Sequence, residues 1–279
     1  MKELDLSVIG KKSKEFIFKY SWKDVILYAL GIGTKIDELQ FLYEGYSGGL
    51  KVIPSFACIA AARGLQLHRL GKIDFSHFIH GEQSIKLYKP FTPSGEIIVQ
   101  GEISNIYDKG KAAVIHDLVS GYNSKKEHIF DTEAVFFYIG AGGFGGDPGP
   151  KVEPINPPEG VKPDFSISYD TDETQAALYR LNGDLNPLHI DPKFAGRSGR
   201  FRGPILHGLC TYGIATRAIV HGACDGKVER LKEFKARFTH EVYPGETLTI
   251  EGWKDNGRYI IQVRKDNTVV LSNSYAIVE

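Results

Sequence analysis

Laid against itself, this chain of 279 residues matches at one displacement. Leu27-Tyr28-Ala29-Leu30 returns as Leu178-Tyr179-Arg180-Leu181, a shift of 151 positions. Pro54 returns as Pro204, and Gly95-Glu96 as Gly245-Glu246, each shifted by 150. Three anchors at one near-constant shift are hard to obtain by chance, and a fixed internal period marks a repeated structural unit. Whatever fold this chain takes, it must take it twice.

The local signals recur in the same order. In the first copy, residues 21–30 read as a helix with Ser21 as its cap, because a short polar side chain can meet the unpaired N–H groups of a first turn. Residues 54–63 read as an alanine-rich helix opening at Pro54, a residue tolerated in a first helical turn. Strand-like runs rich in Ile, Val, Phe and Tyr follow at 96–106, 112–120 and 127–139. The second copy offers helices at 172–181 and, again from a proline, 204–220, then strand-like runs at 247–253, 259–264 and 268–278. A Gly/Pro tract at 140–150 continues to Pro163 and reads as a linker. The expectation is an α+β chain of two copies, each of about 130 residues with a long helix wrapped by an antiparallel sheet. The boundaries expected are 1–140, a linker at 141–163, and 164–279.

The copies differ where chemistry is expected. Helix signal 172–181 runs into Asn182-Gly183, which closes helices in the left-handed conformation, and then into Asp184-Leu185-Asn186-Pro187-Leu188-His189. That order delivers an acid, an amide and an imidazole into one short loop. Such residues also cluster in plain turns, where their side chains copy turn hydrogen bonds. The repeat separates the two readings. At the shift of 151, Gly33 stands for Asp184, Lys35 for Asn186 and Glu38 for His189. A turn needed only by the fold would favour turn residues in both copies. Only the second copy carries the set, so the second is expected to be catalytic and the first to serve binding.

Composition narrows the partners. Lys plus Arg and Asp plus Glu both number 34, so no global field attracts nucleic acid or an anionic membrane. No apolar run approaches the roughly 18 residues that span a bilayer, and Met1-Lys2-Glu3-Leu4-Asp5 is too charged for a secretory signal. Cys58, Cys210 and Cys224 lie far apart without a Cys-x-x-Cys pair, which argues against a disulfide framework and a cysteine-rich zinc site. Met1 is the sole methionine, which fits an expressed fragment, and Ala276-Ile277-Val278-Glu279 carries no Ser-Lys-Leu type tripeptide.

A second feature lies about twenty residues on, at Gly203-Pro204-Ile205-Leu206-His207-Gly208. A helix start offers unpaired N–H groups and partial positive charge, and Gly208 lets a carbonyl approach the backbone. Glycine there also serves close packing, and both readings stay open. Acid, imidazole and oxyanion donor together suit proton transfer near a carbonyl, such as addition of water to an activated alkene. Acyl transfer is disfavoured, because the segment holds no Ser or Cys and Gly-x-Ser-x-Gly is absent. No metal is expected: His189 and His207 lack helical i, i+4 pairing and His-Glu-x-x-His is absent. The Gly-x-Gly-x-x-Gly dinucleotide pattern is absent too.

The stretch from Tyr179 to His189 resembles the hydratase 2 motif of MaoC-like, (R)-specific 2-enoyl-CoA hydratases. The resemblance continues through His80-Gly81-Glu82-Gln83, Tyr107-Asp108-Lys109-Gly110, Pro204 to Thr211, and Lys235-Ala236-Arg237-Phe238. It covers nearly the whole chain and is nearest to the hydratase domains of peroxisomal multifunctional enzymes type 2, those of fungi in particular. It implies a double hot-dog fold and a homodimer. It implies hydration of trans-2-enoyl-CoA to (R)-3-hydroxyacyl-CoA in peroxisomal fatty-acid β-oxidation, with no cofactor beyond the CoA of the substrate. By resemblance, Asp184 and His189 hold and activate water and deliver a proton to C2, and Asn186 orients them. The N–H of Gly208 faces the thioester oxygen, and His80, Gly81, Lys109 and Phe238 contact the CoA ester. A solvated Lys109, a backbone-satisfied His80 and a core Phe238 are the structural alternatives. The dehydrogenase domains that the multifunctional enzymes link covalently to this unit have no counterpart in the chain, nor does their peroxisomal tail. Two rivals share the pocket: a hot-dog acyl-CoA thioesterase and a non-catalytic acyl-CoA binding module.

Overall fold

The computed structural model describes residues 4–197 and 199–279. Its strands pair antiparallel throughout. The first copy contributes β1 (Phe16–Tyr20), β2 (Phe78–Leu87), β3 (Gly95–Asp108), β4 (Ala112–Asn123) and β5 (His128–Ile139). The second contributes β6 (Phe165–Asp170), β7 (Leu231–Phe238), β8 (Thr247–Asp255), β9 (Arg258–Lys265) and β10 (Thr268–Val278). They form one sheet in the order β1-β3-β4-β5-β2-β7-β10-β9-β8-β6. Read inward from either edge, the order within each copy is first, third, fourth, fifth, second.

The register where the copies meet fixes their relation. Ser84 stands opposite Lys235, and Ile85 opposite Phe234. A shift of 150 carries Ser84 to Phe234 and Ile85 to Lys235. These four residues therefore surround the axis that exchanges the two copies. The repeat found in the sequence is the symmetry of the sheet.

Five helices are described: α1 (Trp22–Gly31), α2 (Phe56–Ala61), α3 (Gln175–Tyr179), α4 (Pro192–Gly196) and α5 (Gly208–Gly222). Helix α5 is the long helix expected of a hot-dog unit, buried from Cys210 to Val220. Tyr212 donates its hydroxyl to the carbonyl of Phe234 at 2.6 Å, tying helix to sheet. At Gly213 an added Cβ would stand 2.5 Å from Ile32, so the absence of a side chain is what admits α1 at that point.

The first copy's helix is shorter than its partner. It runs Phe56–Ala61 and tightens into a 3-10 turn, Ala62–Gly64. Gly64 is pressed against β3 and β4, where a Cβ would lie 2.4 Å from Val119, and Gly101 leaves room for its carbonyl. The carboxylate of Asp117 then captures the N–H of Gln66 at 2.7 Å, so the chain is drawn onto the sheet before the helix can lengthen. Neither proline opens its helix. The segment from Pro204 to His207 is extended, because Leu206 donates its N–H to Val242 at 2.7 Å. The 172–181 signal becomes α3 and a 3-10 turn, Arg180–Asn182, closed by Gly183 at φ 118°.

Strands β2 and β7, which the residue patterns did not reveal, carry an unusual charge arrangement. Glu82 on β2 is buried between Lys235, at 3.0 Å, and Arg237, whose Nε donates at 2.8 Å, both on β7. Buried charges are tolerated when paired and hydrogen-bonded, and here the pairing crosses between copies. The Gly/Pro tract is also anchored. Asp108, in the β3–β4 hairpin, accepts the N–H groups of Gly110, Gly143 and Gly145 at 2.7–2.8 Å. The main core is shared by both copies. A smaller one, including Val8, Leu70, Ile103 and Tyr138, belongs to the first.

Candidate active site

The loop after α3 is built by its own backbone. Gly183 takes the left-handed conformation that ends the turn. Asn186 then donates its N–H to Asp184 Oδ1 at 3.2 Å. Its side-chain oxygen accepts the N–H of Leu188 at 3.0 Å, capping the 3-10 turn Pro187–His189. One amide residue thus grips the carboxylate with its backbone and starts the turn bearing the imidazole with its side chain.

His189 is buried, 8% exposed. Its Nδ1 lies 2.8 Å from the carbonyl oxygen of Ile205. A carbonyl can only accept, so Nδ1 carries the proton. Nε2, which makes no hydrogen bond among the described residues, keeps its lone pair when the ring is neutral. Burial holds the His189 pKa below the usual histidine value, against the opposing pulls of the Ile205 bond and the charge of Asp184. The ring is neutral at pH 7.

His207, the residue before Gly208, stands against His189. The ring centroids are 3.8 Å apart and the planes 24° from parallel. Its Nε2 lies 3.2 Å from the backbone carbonyl of Asp184. A carboxylate oxygen of Asp184 and one nitrogen of each ring all fall within 4.8 Å of one another. The signal that would have found His207 was available: at the shift of 150 its counterpart is Ala57.

Gly208 opens α5, so its N–H has no acceptor within the helix. An added Cβ would meet the ring of Phe238 at 3.2 Å. Phe238 in turn packs its edge on His80 at 5.0 Å, and His80 stacks on Phe136 at 4.8 Å. His80 donates its Nε2–H to the carbonyl of Glu82 at 3.1 Å, and burial pushes its pKa down to about 4. Gly81 sits at the bulge where β2 slips against β5, with Phe137 only 2.3 Å from where a Cβ would be. The structure therefore brings Asp184, Asn186, His189, Gly208, Phe238, His80 and Gly81 to one end of β2 and β7. Lys109 is exposed on the β3–β4 hairpin. Register across β4 and β5 puts that hairpin at the same end of the sheet as His80.

The corresponding place in the first copy is closed. Leu231 stands for Gly81 and Cys58 for Gly208 at the shift of 150. Glu38, standing for His189, bonds His221 Nε2 at 2.6 Å and lies 3.2 Å from Arg217 Nε. None of the three thiols suits nucleophilic attack: all are buried, and burial pushes Cys58 and Cys224 up to about 12 and Cys210 higher still.

Comparison with known proteins adds a family context. Residues 18–140 match the MFE-2 hydratase 2 N-terminal domain, and residues 155–275 match the MaoC like domain. The chain is 40% identical to the probable enoyl-CoA hydratase 2 of Dictyostelium discoideum, over 98% of this chain and 95% of that protein. It is 39% identical to the peroxisomal multifunctional enzyme type 2 of Mus musculus, over 97% of this chain but only 38% of that protein. Among solved structures, a MaoC-like dehydratase from Phytophthora capsici superposes with a TM-score of 0.88 at 28% identity, covering 98% of this chain and 97% of that one.

Proposed function

Because the chain belongs to the enoyl-CoA hydratase 2 family of MaoC-like proteins, we propose that it adds water across the double bond of trans-2-enoyl-CoA to give (R)-3-hydroxyacyl-CoA. One observation carries the reading: an ionisable carboxylate, a neutral imidazole with a free Nε2 and a helix-start N–H meet at one place.

Chemistry follows from that arrangement. Asp184 and the Nε2 lone pair of His189 both accept hydrogen bonds, so a water between them presents its oxygen lone pair to C3. As the oxygen bonds to C3, the C2–C3 π electrons shift toward the thioester and build negative charge on its oxygen. The N–H of Gly208 meets that charge, an interaction that supplies about 3–4 kcal/mol in comparable sites. The acid–base pair takes one water proton and returns a proton to C2. The balance is hydroxyl on C3 and hydrogen on C2, with no electron gained or lost. His80 and Phe238 wall the thioester, Gly81 clears space at the bulge, and Lys109 meets the anionic CoA from its exposed hairpin. Asn186 holds the carboxylate and the imidazole turn in register.

On this reading the chain works as a homodimer, and in the peroxisome; the peroxisomal naming of the mouse relative supports the location. The chain spans 38% of the mouse enzyme and 30% of a Neurospora crassa relative named peroxisomal hydratase-dehydrogenase-epimerase, a name that supports a unit of this kind working beside covalently linked dehydrogenase domains.

Loss of the enoyl-thioester absorbance of trans-2-decenoyl-CoA tests the assignment, with the product resolved by chiral chromatography. Asp184→Ala and His189→Ala are each expected to lower kcat by about 10²-fold or more, as general acid–base roles require. Unchanged rates in both would mean the site is misplaced. Release of free CoA would favour a thioesterase, and tight binding without turnover a binding module.

A further inference from the structure

We propose that His207 is a positioning residue for this hydration: it ties the Asp184 loop to the start of α5 and holds the His189 ring in one orientation, so that carboxylate, imidazole and Gly208 N–H share one frame. The inference rests on the hydratase reading of the site and adds a residue to it.

Three contacts argue for the role. His207 is 1% exposed and donates its Nε2–H to the backbone carbonyl of Asp184 at 3.2 Å. This bond spans from the loop to the residue preceding the oxyanion donor. One face of the ring lies on His189 at 3.8 Å, and the Tyr179 ring also packs on it at 4.8 Å. The imidazole is thus wedged between a helix and the acid–base pair. A neutral ring face also favours an adjoining cation, which suits a His189 that becomes imidazolium during proton transfer.

Two further observations separate this from a role in the fold alone. With Nε2 donating, Nδ1 holds a lone pair, and it is buried without a hydrogen-bond partner among the described residues. An unsatisfied buried polar group is destabilising, so a side chain kept only for packing would be better as Phe or Leu. The first copy makes the comparison directly. At the shift of 150 the counterpart of His207 is Ala57, which lies inside the first turn of α2, in the copy that also lacks Asp184, Asn186 and His189. The second imidazole goes with the site and not with the fold.

The test uses the full chain and trans-2-decenoyl-CoA, with kcat, KM and thermal midpoint measured for His207→Gln, His207→Phe and His207→Ala. The Gln amide can keep the bond to Asp184 while losing the ring face; Phe keeps a face and loses the bond. His207→Ala is expected to lose about 10²-fold in kcat with KM nearly unchanged, the size of effect a misplacement of about 1 Å produces. Gln and Phe are each expected to recover part of that loss, and Phe to do so without loss of thermal midpoint. Should Ala fail to fold, Gln and Phe carry the test. A kcat within about threefold of wild type in both, with Asp184→Ala inactive, overturns the role of His207 while leaving the hydratase reading intact. A rise in KM that accounts for the whole loss overturns it as well. An active Asp184→Ala would remove the hydratase reading itself, and this inference with it.

Discussion

His189 donates its Nδ1–H to the carbonyl of Ile205 across 2.8 Å, and that bond decides which nitrogen can meet water. Only the neutral ring offers a lone pair at Nε2; protonated, Nε2 would donate to the water oxygen and occupy the electrons needed for attack on C3. Burial holds the His189 pKa below 6.5. The sign follows: activity requires the neutral ring, so it is lost as pH falls through the lowered pKa. The acid limb of kcat/KM for the free enzyme is expected below pH 6.5, with little change between pH 8 and that point. A limb centred at or above the ordinary histidine value would contradict a buried, neutral His189.

Gly208 is confined by Phe238, with only 3.2 Å between a built Cβ and the ring. Gly208→Ala keeps the backbone N–H and adds a methyl where the thioester must approach. Helix propensity favours Ala over Gly, so the thermal midpoint should hold or rise slightly. Activity should fall by about 10–10²-fold, because small displacements of reacting atoms are costly. Unchanged kcat/KM would show that the thioester does not pass this glycine.

Asp117 sets a pH dependence of stability outside the site. It is fully buried on β4 and accepts the N–H of Gln66 through one oxygen, while Oδ1 has no hydrogen-bond partner among the described residues. Burial pushes its pKa up to about 7, from 3.8 in an exposed chain. Between those values the folded state binds more protons than the unfolded state, so the stability it confers is full below 3.8 and lost as pH rises through about 7. Asp117→Asn keeps the acceptor and cannot ionise. Its thermal midpoint relative to wild type should climb from pH 4 to 7 and level off above. A difference independent of pH would show that Asp117 ionises as freely folded as unfolded.

Much of this was legible because it depends on local order. The period of 150 appears in both the residues and the β2–β7 register, and Asn182-Gly183 and Asn186 act where capping chemistry puts them; Ser21 stands at the N-cap of α1, but its N–H and hydroxyl donate to Asp24 and its side chain caps no first-turn N–H. What escaped depends on partners distant in sequence. Strand β7, Leu231–Phe238, alternates too many charges to read as buried until Glu82 arrives from β2 to pair with Lys235 and Arg237. Pro204 gave no warning that Val242 would hold Leu206 extended and move the helix start to Gly208. That displacement is what frees the Gly208 N–H. The role of His207 rests on stacking against His189, a tertiary contact that the residue pattern does not show, although its mismatch with Ala57 is legible in the sequence.

The repeat makes one last demand, at Glu38. This residue occupies the place of His189 in the first copy, yet its carboxylate reaches across to α5 of the second, to His221 at 2.6 Å and to Arg217 at 3.2 Å. The Arg217 side chain is 2% exposed and donates to the carbonyl of Ile32 at 2.6 Å while its guanidinium lies over Tyr169. Where the second copy has His189, the first has a cross-link joining the halves. Removing one partner of a buried pair leaves the other charge uncompensated, at a cost of about 3–5 kcal/mol. Glu38→Ala should therefore unfold at markedly lower denaturant while kcat per folded molecule at 25 °C stays near wild type. Its contribution also has a sign in pH: although burial opposes it, His221 and Arg217 hold the Glu38 pKa below 4.5, so the stabilisation is full above 4.5 and lost as pH falls through the lowered value. The opposite result, a normal unfolding midpoint with kcat reduced as far as in His189→Ala, would place the first copy in the chemistry and undo the division of labour between the two.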